Sequence, residues 1–317
     1  MTSFQWQFDA PSGVFKQHAL SAALYTAAVE ESVFMDHVKP VSEFGRKMGE
    51  NITLKRVASV TEPTSVDLLE GVRIPEDTLT LSTKAITVGE IGRSIPFTSF
   101  AEDLSVLDVE GTIQSELKRQ MTLALDTKAA AAFTGSNAKI KYQITGLTAA
   151  TIVTDGTPAT AATANMNVYH AEEIRDYLYD TLQADPAEGD DYIGIFRTLG
   201  IRGLKRDPDW EEWHKYTDPS AKFNSEVGRI ESIRFIETNH DKALQKIGTS
   251  DVCGEGVVFG KDAVAMVEAM TPELRAAIPQ DFGRSKAVAW YGILAFDVIW
   301  DTGNAGQAKI VHVASST

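Results

Sequence analysis

The stretch IGRSIPFTSFAEDLSVLDVEGTIQSELKRQMTLALDTKAAAAF, residues 91–133, contains the clearest helix signal in the chain. Its apolar residues recur at helical spacing on one stripe: Val109, Ile113, Leu117, Met121, Leu125 and the alanines at 129 to 132. Ser105, with Asp108 three residues later, is a candidate capping pair. We predict one helix from Phe100 to about Phe133, a rod of roughly 40 Å.

Two extended runs precede this helix. Ile52, Leu54 and Val57 begin the first run, and the second goes from Leu79 to Val88. Apolar residues in the second run change from odd to even positions, so neither face is steadily buried. We therefore predict a long two-stranded ribbon over about residues 50–92 that stands partly away from the body. The pattern leaves a second interpretation open, an ordinary hairpin on the protein's own core.

The rest of the chain mixes helical and extended segments irregularly. We predict helices at 17–35 and 169–182, a short helix starting at Thr271-Pro272-Glu273, a turn-rich connection at 148–165, a surface loop at 207–219, and strands at 193–196, 230–236, 288–300 and 309–313. Because this order lacks the regular strand and helix alternation of a parallel sheet, the predicted class is α+β.

Composition excludes several classes of protein. The chain has 317 residues, 43% hydrophobic and 23% charged, which is typical of one or two globular domains. Its 44 acidic and 30 basic residues give a net charge of −14, which argues against a nucleic-acid groove built on global attraction. The single cysteine, Cys253, excludes a disulfide framework. The longest apolar run is about half of the roughly 20 residues that cross a bilayer, so we expect no membrane partner.

No motif predicts catalysis or ligand binding. GEGVVFG at 254–260 lacks the spacing of a dinucleotide fingerprint, and the acidic residues in 207–212 lack the ligand order of an EF-hand loop. His170 is expected to be solvated or capping, and Cys253 to be a small buried hydrophobe. We predict no catalytic residue, no cofactor and no metal, which favours a structural or assembly role over an enzyme. A hydrolase with a dispersed His and Asp site is the alternative from another class.

Three stretches resemble the major capsid proteins of tailed double-stranded-DNA bacteriophages, in particular a family of podophage-type coat proteins. They are residues 91–133, GRIESIRFIETNHDKAL at 228–244, and PQDFGRSKAVAWYGILAFDVIWD at 279–301. The middle stretch at 195–210 matches no pattern of that family. The resemblance implies the capsid fold of tailed phages and herpesviruses, with an N-terminal arm, an extended β-loop, a peripheral domain crossed by a long spine helix, and an axial domain.

On this resemblance we expect five segments. Residues 1–48 form the arm, 49–95 the extended β-loop, 96–165 the peripheral domain with its spine helix, and 166–235 the axial domain. Residues 236–317 supply the return strands of both domains.

The resemblance also implies a function, a major capsid protein that self-assembles into hexamers and pentamers of an icosahedral shell enclosing the double-stranded DNA genome. The expected partners are other copies of the chain, portal, scaffold and decoration proteins, and packaged DNA without sequence-specific binding. The expected location is the virion capsid, after assembly in the host cytoplasm. An encapsulin-like nanocompartment shell is a further alternative.

We expect the ribbon and its flanks to carry contacts between copies, because apolar area and paired charges hold such interfaces together. The candidate interface residues are Ile52, Leu54, Arg73, Leu79, Leu81, Ile86, Val88 and Arg93. We also expect an acidic inner wall, which would let packaged DNA slide because it does not bind phosphate.

Overall fold

The structure is a computed structural model that describes residues 32–45, 47–57, 66–68, 70–71, 73–79, 81–105, 108–135, 139–210, 226–277, 281–300 and 309–316. Its strands are β1 Lys39–Val41, β2 Asn51–Val57, β3 Leu81–Thr87, β4 Gly89–Thr98, β5 Lys139–Gly146, β6 Ala149–Val153, β7 Tyr192–Arg197, β8 Glu226–Ile230, β9 Ile233–Thr238, β10 Lys246–Ile247, β11 Cys253–Phe259, β12 Val264–Ala276, β13 Ser285–Val298 and β14 Ile310–Ser316. Its helices are α1 Ser99–Leu104, α2 Val109–Thr134, α3 Val168–Asp176 and α4 Thr198–Ile201. This mixture of helices and strands confirms the predicted α+β class.

The strands form three sheets. The large sheet has the order β6-β5-β14-β11-β7-β9-β8, with β10 paired to β11, and the small sheet has the order β1-β12-β13-β4. Among the strands of the described ranges, β2 and β3 pair only with each other. Every residue of β7 and of β11 is buried in the middle of the large sheet, as expected for strands covered on both faces.

The long helix begins later than the sequence predicts. Helix α1 ends at Leu104, and α2 begins at Val109 with Asp108 as its N-cap, because Oδ1 of Asp108 accepts a hydrogen bond from the Gly111 N–H at 3.0 Å. The single helix from Phe100 and the Ser105 cap were therefore wrong: Asp108 is extended and ends the continuity. The 26 residues of α2 still make the predicted rod of about 39 Å.

Helix α2 joins the two larger sheets. Near its start, Leu117 packs with Val288 and Trp290 of the small sheet. Near its end, the ring of Phe133 lies 4.6 Å from the ring of Phe259 in the large sheet, centre to centre. Helix α2 therefore packs into an apolar cluster of each of these two sheets.

Strands β2 and β3 confirm the pairing of the predicted ribbon but not its full length. They run antiparallel from the pair Asn51 and Thr87 to the pair Val57 and Leu81. Residues from Gly89 onward pair with β13 instead, so the second half of the predicted run belongs to the small sheet. We use "ribbon" below for β2, β3 and the segment between them.

The helix predicted at Thr271-Pro272-Glu273 is a strand. These residues lie within β12, where the register against β13 shifts between Met270 and Glu273. The irregularity accommodates Pro272, which has no N–H for a ladder. Gly292 supplies the space opposite, since a Cβ there would lie 2.8 Å from Cγ of Pro272. Pairing with β13 thus outweighs the local N-cap signal.

Other expectations had mixed outcomes. The predicted helix at 169–182 is confirmed as α3, extended by a π-helical turn at Tyr177–Thr181. The connection at 148–165 contains strand β6, and the single strand at 230–236 is the hairpin of β8 and β9. The helix at 17–35 and the loop at 207–219 lie mostly outside the described residues. The strands predicted at 193–196, 288–300 and 309–313 are confirmed as β7, β13 and β14.

Candidate assembly surface

The ribbon has one face against the body and one face in solvent. Burial alternates along both strands, and the even-numbered residues face inward in each. Ile86 on this inner face is 2% exposed. The prediction that neither face is steadily buried was wrong, because the polar Ser82 and Lys84 occupy the packed face while Leu81 and Ala85 point outward.

Two cations help to hold the inner face. Nη1 of Arg56 donates to the carbonyl oxygen of Ile299 at 3.1 Å, and its guanidinium lies 5.5 Å from the ring centre of Trp300. Nζ of Lys84 lies 3.0 Å from Oδ2 of Asp297. These contacts tie the ribbon to the end of β13. Sequence analysis missed both cations, although they fall in phase with the inward apolar residues of their strands.

Exposed apolar side chains cluster at the end of the ribbon where β2 stops and β3 starts, and in the segment between them. Six large apolar side chains among its described residues are more than half exposed: Val57, Val66, Leu68, Ile74, Leu79 and Leu81. Val57 and Leu81 are partners in the register of β2 and β3. Scattered exposed apolar residues are ordinary, but a concentration on one projection is typical of a surface that another molecule covers.

The structure divides the eight candidate interface residues into exposed ones and ones packed within the chain. Leu79 and Leu81 are exposed on the ribbon, and so is Arg73, which forms an ion pair with Glu76. Ile52, Leu54, Ile86 and Val88 instead pack against strands of the same chain. Arg93 lies outside the ribbon on β4, beside α2, where it is exposed. Contacts between copies stay a prediction for all eight.

A buried carboxylate on α2, that of Asp126, binds the segment at residues 32–34. Oδ1 of Asp126 accepts hydrogen bonds from the backbone N–H groups of Val33 at 3.0 Å and Phe34 at 2.7 Å, and from the Ser32 hydroxyl at 3.1 Å. Its Oδ2 lies 2.9 Å from Nδ1 of His240. A fully buried carboxylate needs such partners. No sequence pattern indicates this role.

The motif residues considered above have structural roles. Nδ1 of His170 accepts from the Asn167 N–H at 3.3 Å in a capping box of α3, so it caps but is not solvated. Burial lowers the pKa of His170. Oδ2 of Asp207 accepts from the Val168 N–H at 3.0 Å, and Cys253 is buried as expected.

The described part of the chain contains no group of three or more His, Cys, Asp or Glu side chains arranged to hold a metal ion. None of the helices within the described ranges is long and apolar enough to cross a membrane.

Comparison with known proteins identifies the family. The sequence model of the phage capsid family matches residues 13–190, more than half of the chain. The chain belongs to the phage capsid family. This confirms the resemblance to tailed-phage major capsid proteins found in the sequence. No curated protein matches the chain.

Solved structures share the fold over nearly the whole chain. The capsid of Ralstonia phage GP4 is 12% identical with a TM-score of 0.70, covering 99% of this chain and 98% of that chain. The head structure of Helicobacter pylori bacteriophage KHP40 is 13% identical with a TM-score of 0.71, covering 98% and 99%. The cyanophage Pam1 capsid asymmetric unit is 11% identical with a TM-score of 0.71, covering 98% and 100%. These similarities confirm the predicted capsid fold.

The phage capsid protein is a structural protein of the virion shell. Neither the nanocompartment nor the hydrolase alternative gains support from these matches. Its function is to associate with copies of itself in a shell.

Proposed function

We propose that this capsid protein forms hexamers and pentamers that close an icosahedral shell around double-stranded phage DNA, with the outer face of the ribbon as a contact between neighbouring subunits. The observation that supports this is the ribbon's division into two faces. Its inner face is anchored through Arg56 and Lys84, while six large apolar side chains among its described residues stay exposed.

Covering the exposed apolar side chains of the ribbon with a neighbouring subunit would lower the free energy of the assembly. An isolated two-stranded ribbon is marginal in water because it buries little apolar surface. Full burial of one large apolar side chain contributes about 1.5 to 3 kcal/mol, which a neighbouring subunit would supply at Leu79, Leu81 and Val57. Ordering of the loop offsets part of this gain. Many modest contacts suffice once a closed shell repeats them.

Charge is compatible with a shell of many copies. Each copy carries −14, but the Debye length of about 8 Å at physiological salt limits repulsion to nearby groups. Arg73 pairs with Glu76 within its own loop and is 82% exposed, so it is open to a neighbour's carboxylate as well. The acidic balance favours an inner wall that does not retain DNA.

The sheets suggest a domain division close to the one expected from sequence. We assign α2 and the small sheet to the peripheral domain, the large sheet with α3 to the axial domain, and the ribbon to the extended loop. Of the arm expected at residues 1–48, Lys39–Val41 pairs with β12 and so joins the small sheet. Strands β5 and β6 pair within the large sheet and so join the axial domain rather than the peripheral one. Portal, scaffold and decoration proteins are further partners in this proposal, with assembly in the host cytoplasm.

Sedimentation of the purified chain tests the proposal. The wild-type protein should form capsomers or closed particles, alone or with a scaffold, whereas Leu81→Asp should stay small while keeping its circular dichroism spectrum. Leu81→Ile keeps the apolar surface and should assemble. Leu147→Asp places the same charge at a similarly exposed apolar residue outside the ribbon and serves as a matched control. Normal shells from Leu81→Asp would contradict the ribbon's role.

A further inference from the structure

A groove follows one side of α2, between that helix, the small sheet and the turn after β9. Its volume is about 340 Å³, and its lining includes Arg93, Arg119, Gln120, Thr127, Lys242 and Trp290. Helix α2 contributes residues from Glu116 to Thr127, so the groove is roughly 16 Å long. We call it the α2 groove.

Arg93 lies toward the N-terminal end of the α2 groove. It is the register partner of Trp290 in the ladder of β4 and β13, so both side chains lie on the same face of the small sheet. Nε1 of Trp290 donates to Oε1 of Gln120 on α2 at 3.3 Å. Arg93 therefore enters the groove near the level of Gln120.

Lys242 lies toward the other end of the α2 groove. Nε2 of the buried His240 lies 3.3 Å from Oγ1 of Thr127, and Lys242 follows in the same turn of the chain. The distance from Gln120 to Thr127 along α2 is about 10 Å. The side chains of Arg93 and Lys242 thus place two cations at two levels of one groove.

The α2 groove is cationic although the chain as a whole is acidic. Its lining holds the cations Arg93, Arg119 and Lys242 and one carboxylate, that of Glu116. Oε2 of Glu116 lies 2.7 Å from Nη2 of Arg119. Arg93 and Lys242 make no hydrogen bond or ion pair with any residue that the structure describes. The groove therefore offers two positive charges to an anion, on a chain whose net charge is −14.

We propose that the α2 groove binds backbone phosphates of the packaged DNA. The inference rests on the proposed function and adds to it a place where the DNA touches each subunit. Duplex DNA carries one charge per about 1.7 Å of its axis, so a groove of roughly 16 Å meets several phosphates whatever the base sequence. Arginine binds phosphate through its forked donors and lysine binds it as a point charge.

Carboxylates of another copy are a poorer match for the α2 groove. They would have to stand in register with two levels about 10 Å apart, whereas a phosphate chain supplies charge at both levels in any register. Arg93 and Lys242 are both exposed, and their long side chains can follow a phosphate chain as it shifts.

Each contact is weak, which suits DNA that moves during filling. The acidic surface elsewhere repels DNA, so attraction is confined to the α2 groove. A closed shell repeats the groove in every subunit, and repeated weak contacts hold a long polyanion while single contacts break and form again. The inner wall is then acidic except at this groove.

Binding of a fluorescent duplex of about 20 base pairs to the full-length chain tests the proposal. By anisotropy, the wild type should lose about 10- to 40-fold in affinity between about 50 and 200 mM salt, as expected for two or three phosphate contacts. Arg93→Gln and Lys242→Gln should each lower the slope of log affinity against log salt by about 1. The double variant should bind at least about tenfold more weakly at the lower salt concentration. Slopes equal to that of the wild type would overturn the proposal.

Lys55→Gln is the matched control, since it removes one charge from an exposed position of the ribbon. It should bind the duplex as the wild type does, and Arg93→Lys, which keeps the charge, should retain most of the binding. All variants should keep the wild-type melting temperature, because the replaced side chains are exposed. Equal losses from Lys55→Gln and Lys242→Gln would mean diffuse attraction and would overturn the groove as the site.

Free phosphate is a second source of the same chemistry. Titration with inorganic phosphate, followed by its ³¹P signal, separates it from DNA. A signal that changes with the wild type but not with the double variant, while the duplex stays unbound, would assign the groove to free phosphate. If neither anion binds and the double variant no longer closes shells, the groove holds carboxylates of another copy. Either result overturns the DNA contact.

The outcomes also distinguish this inference from the proposed function. If the wild-type chain forms neither capsomers nor particles with any scaffold, the proposed function fails. If the wild type closes shells and the double variant binds the duplex equally well, only the inference about the α2 groove is overturned.

Discussion

Asp126 lies on the long helix α2, and its carboxylate is fully buried. The carboxylate belongs there because it accepts hydrogen bonds from the backbone at Val33 and Phe34 and contacts His240. It thereby holds the segment at Val33 and Phe34 against α2. Arg56 of the ribbon is a second buried charge that makes a contact between distant parts of the chain.

Replacing Asp126 should weaken the attachment of residues 32–34 to α2. Asp126→Ala leaves several buried N–H donors unpaired, so the free energy of unfolding of the unassembled subunit should fall by about 3 kcal/mol. Asp126→Asn keeps one acceptor oxygen and should lose less. Denaturant titration measures the loss, and hydrogen exchange at residues 33–35 locates it. Equal stability of the Ala and Asn variants would contradict a role for the acceptor oxygens.

Acid should destabilise the subunit partly through His170. Burial lowers the pKa of His170 below its usual 6.5, so the folded state binds fewer protons than the unfolded state. Stability is therefore complete above about pH 6.5 and falls as the pH decreases toward the lowered value. His170→Gln retains an acceptor for the capping box and removes the titration. Its melting temperature should fall less between pH 6.5 and 5 than that of the wild type; parallel curves would contradict this.

The ribbon is an element whose position depends on few contacts. Within the described residues, strands β2 and β3 hydrogen-bond as a ladder only to each other. Apart from the chain link from β3 through Val88 into β4, side chains hold them against the small sheet. The Lys84 ion pair with Asp297 is partly exposed and contributes modestly, while Arg56 is buried and Ile86 packs in a small apolar cluster. Such an element can fold with the subunit and still present its outer face to a neighbour.

Lys84→Met should loosen the ribbon without unfolding the subunit. Loss of the ion pair with Asp297 should cost about 0.5 to 1 kcal/mol and increase hydrogen exchange in β2 and β3. Lys55→Met removes the same charge from the exposed face and is the matched control, with exchange expected to stay at the wild-type rate. If both variants exchange alike, the Lys84 contact does not position the ribbon.

The described part of the molecule has three sheets: one long helix joins the two larger ones, and the third is the ribbon, which leaves apolar side chains exposed. This arrangement suits a subunit that becomes complete only among copies of itself. Burial within the subunit stabilises its four described apolar clusters, while contacts in the shell would cover the exposed apolar side chains of the ribbon.

Removal of the ribbon's far end should separate folding from assembly. Deletion of about residues 62–72 removes Val66 and Leu68 but spares β2, β3 and both cores. We expect a cooperative unfolding transition close to that of the wild type and no closed shells in sedimentation. A deletion variant that assembles normally would refute the role of the loop.

Local pattern was sufficient for the α+β class, the rod of α2, the pairing of β2 with β3, and the strands β7, β13 and β14. These features depend on periodicity and capping within short windows, where neighbouring residues set the backbone preference. The stretch 91–133 also carried the resemblance that the family match confirmed.

Tertiary contacts decided the rest. Pro272 lies in a strand because β13 offers Gly292 opposite it, and the inner face of the ribbon is set by Asp297 and Ile299. Asp126 and His240 are 114 residues apart in the chain, so no short window links them. Charges and prolines are tolerated in strands, helices and cores only where a distant partner supplies the hydrogen bond or the space, and that partner is known only once the chain has folded.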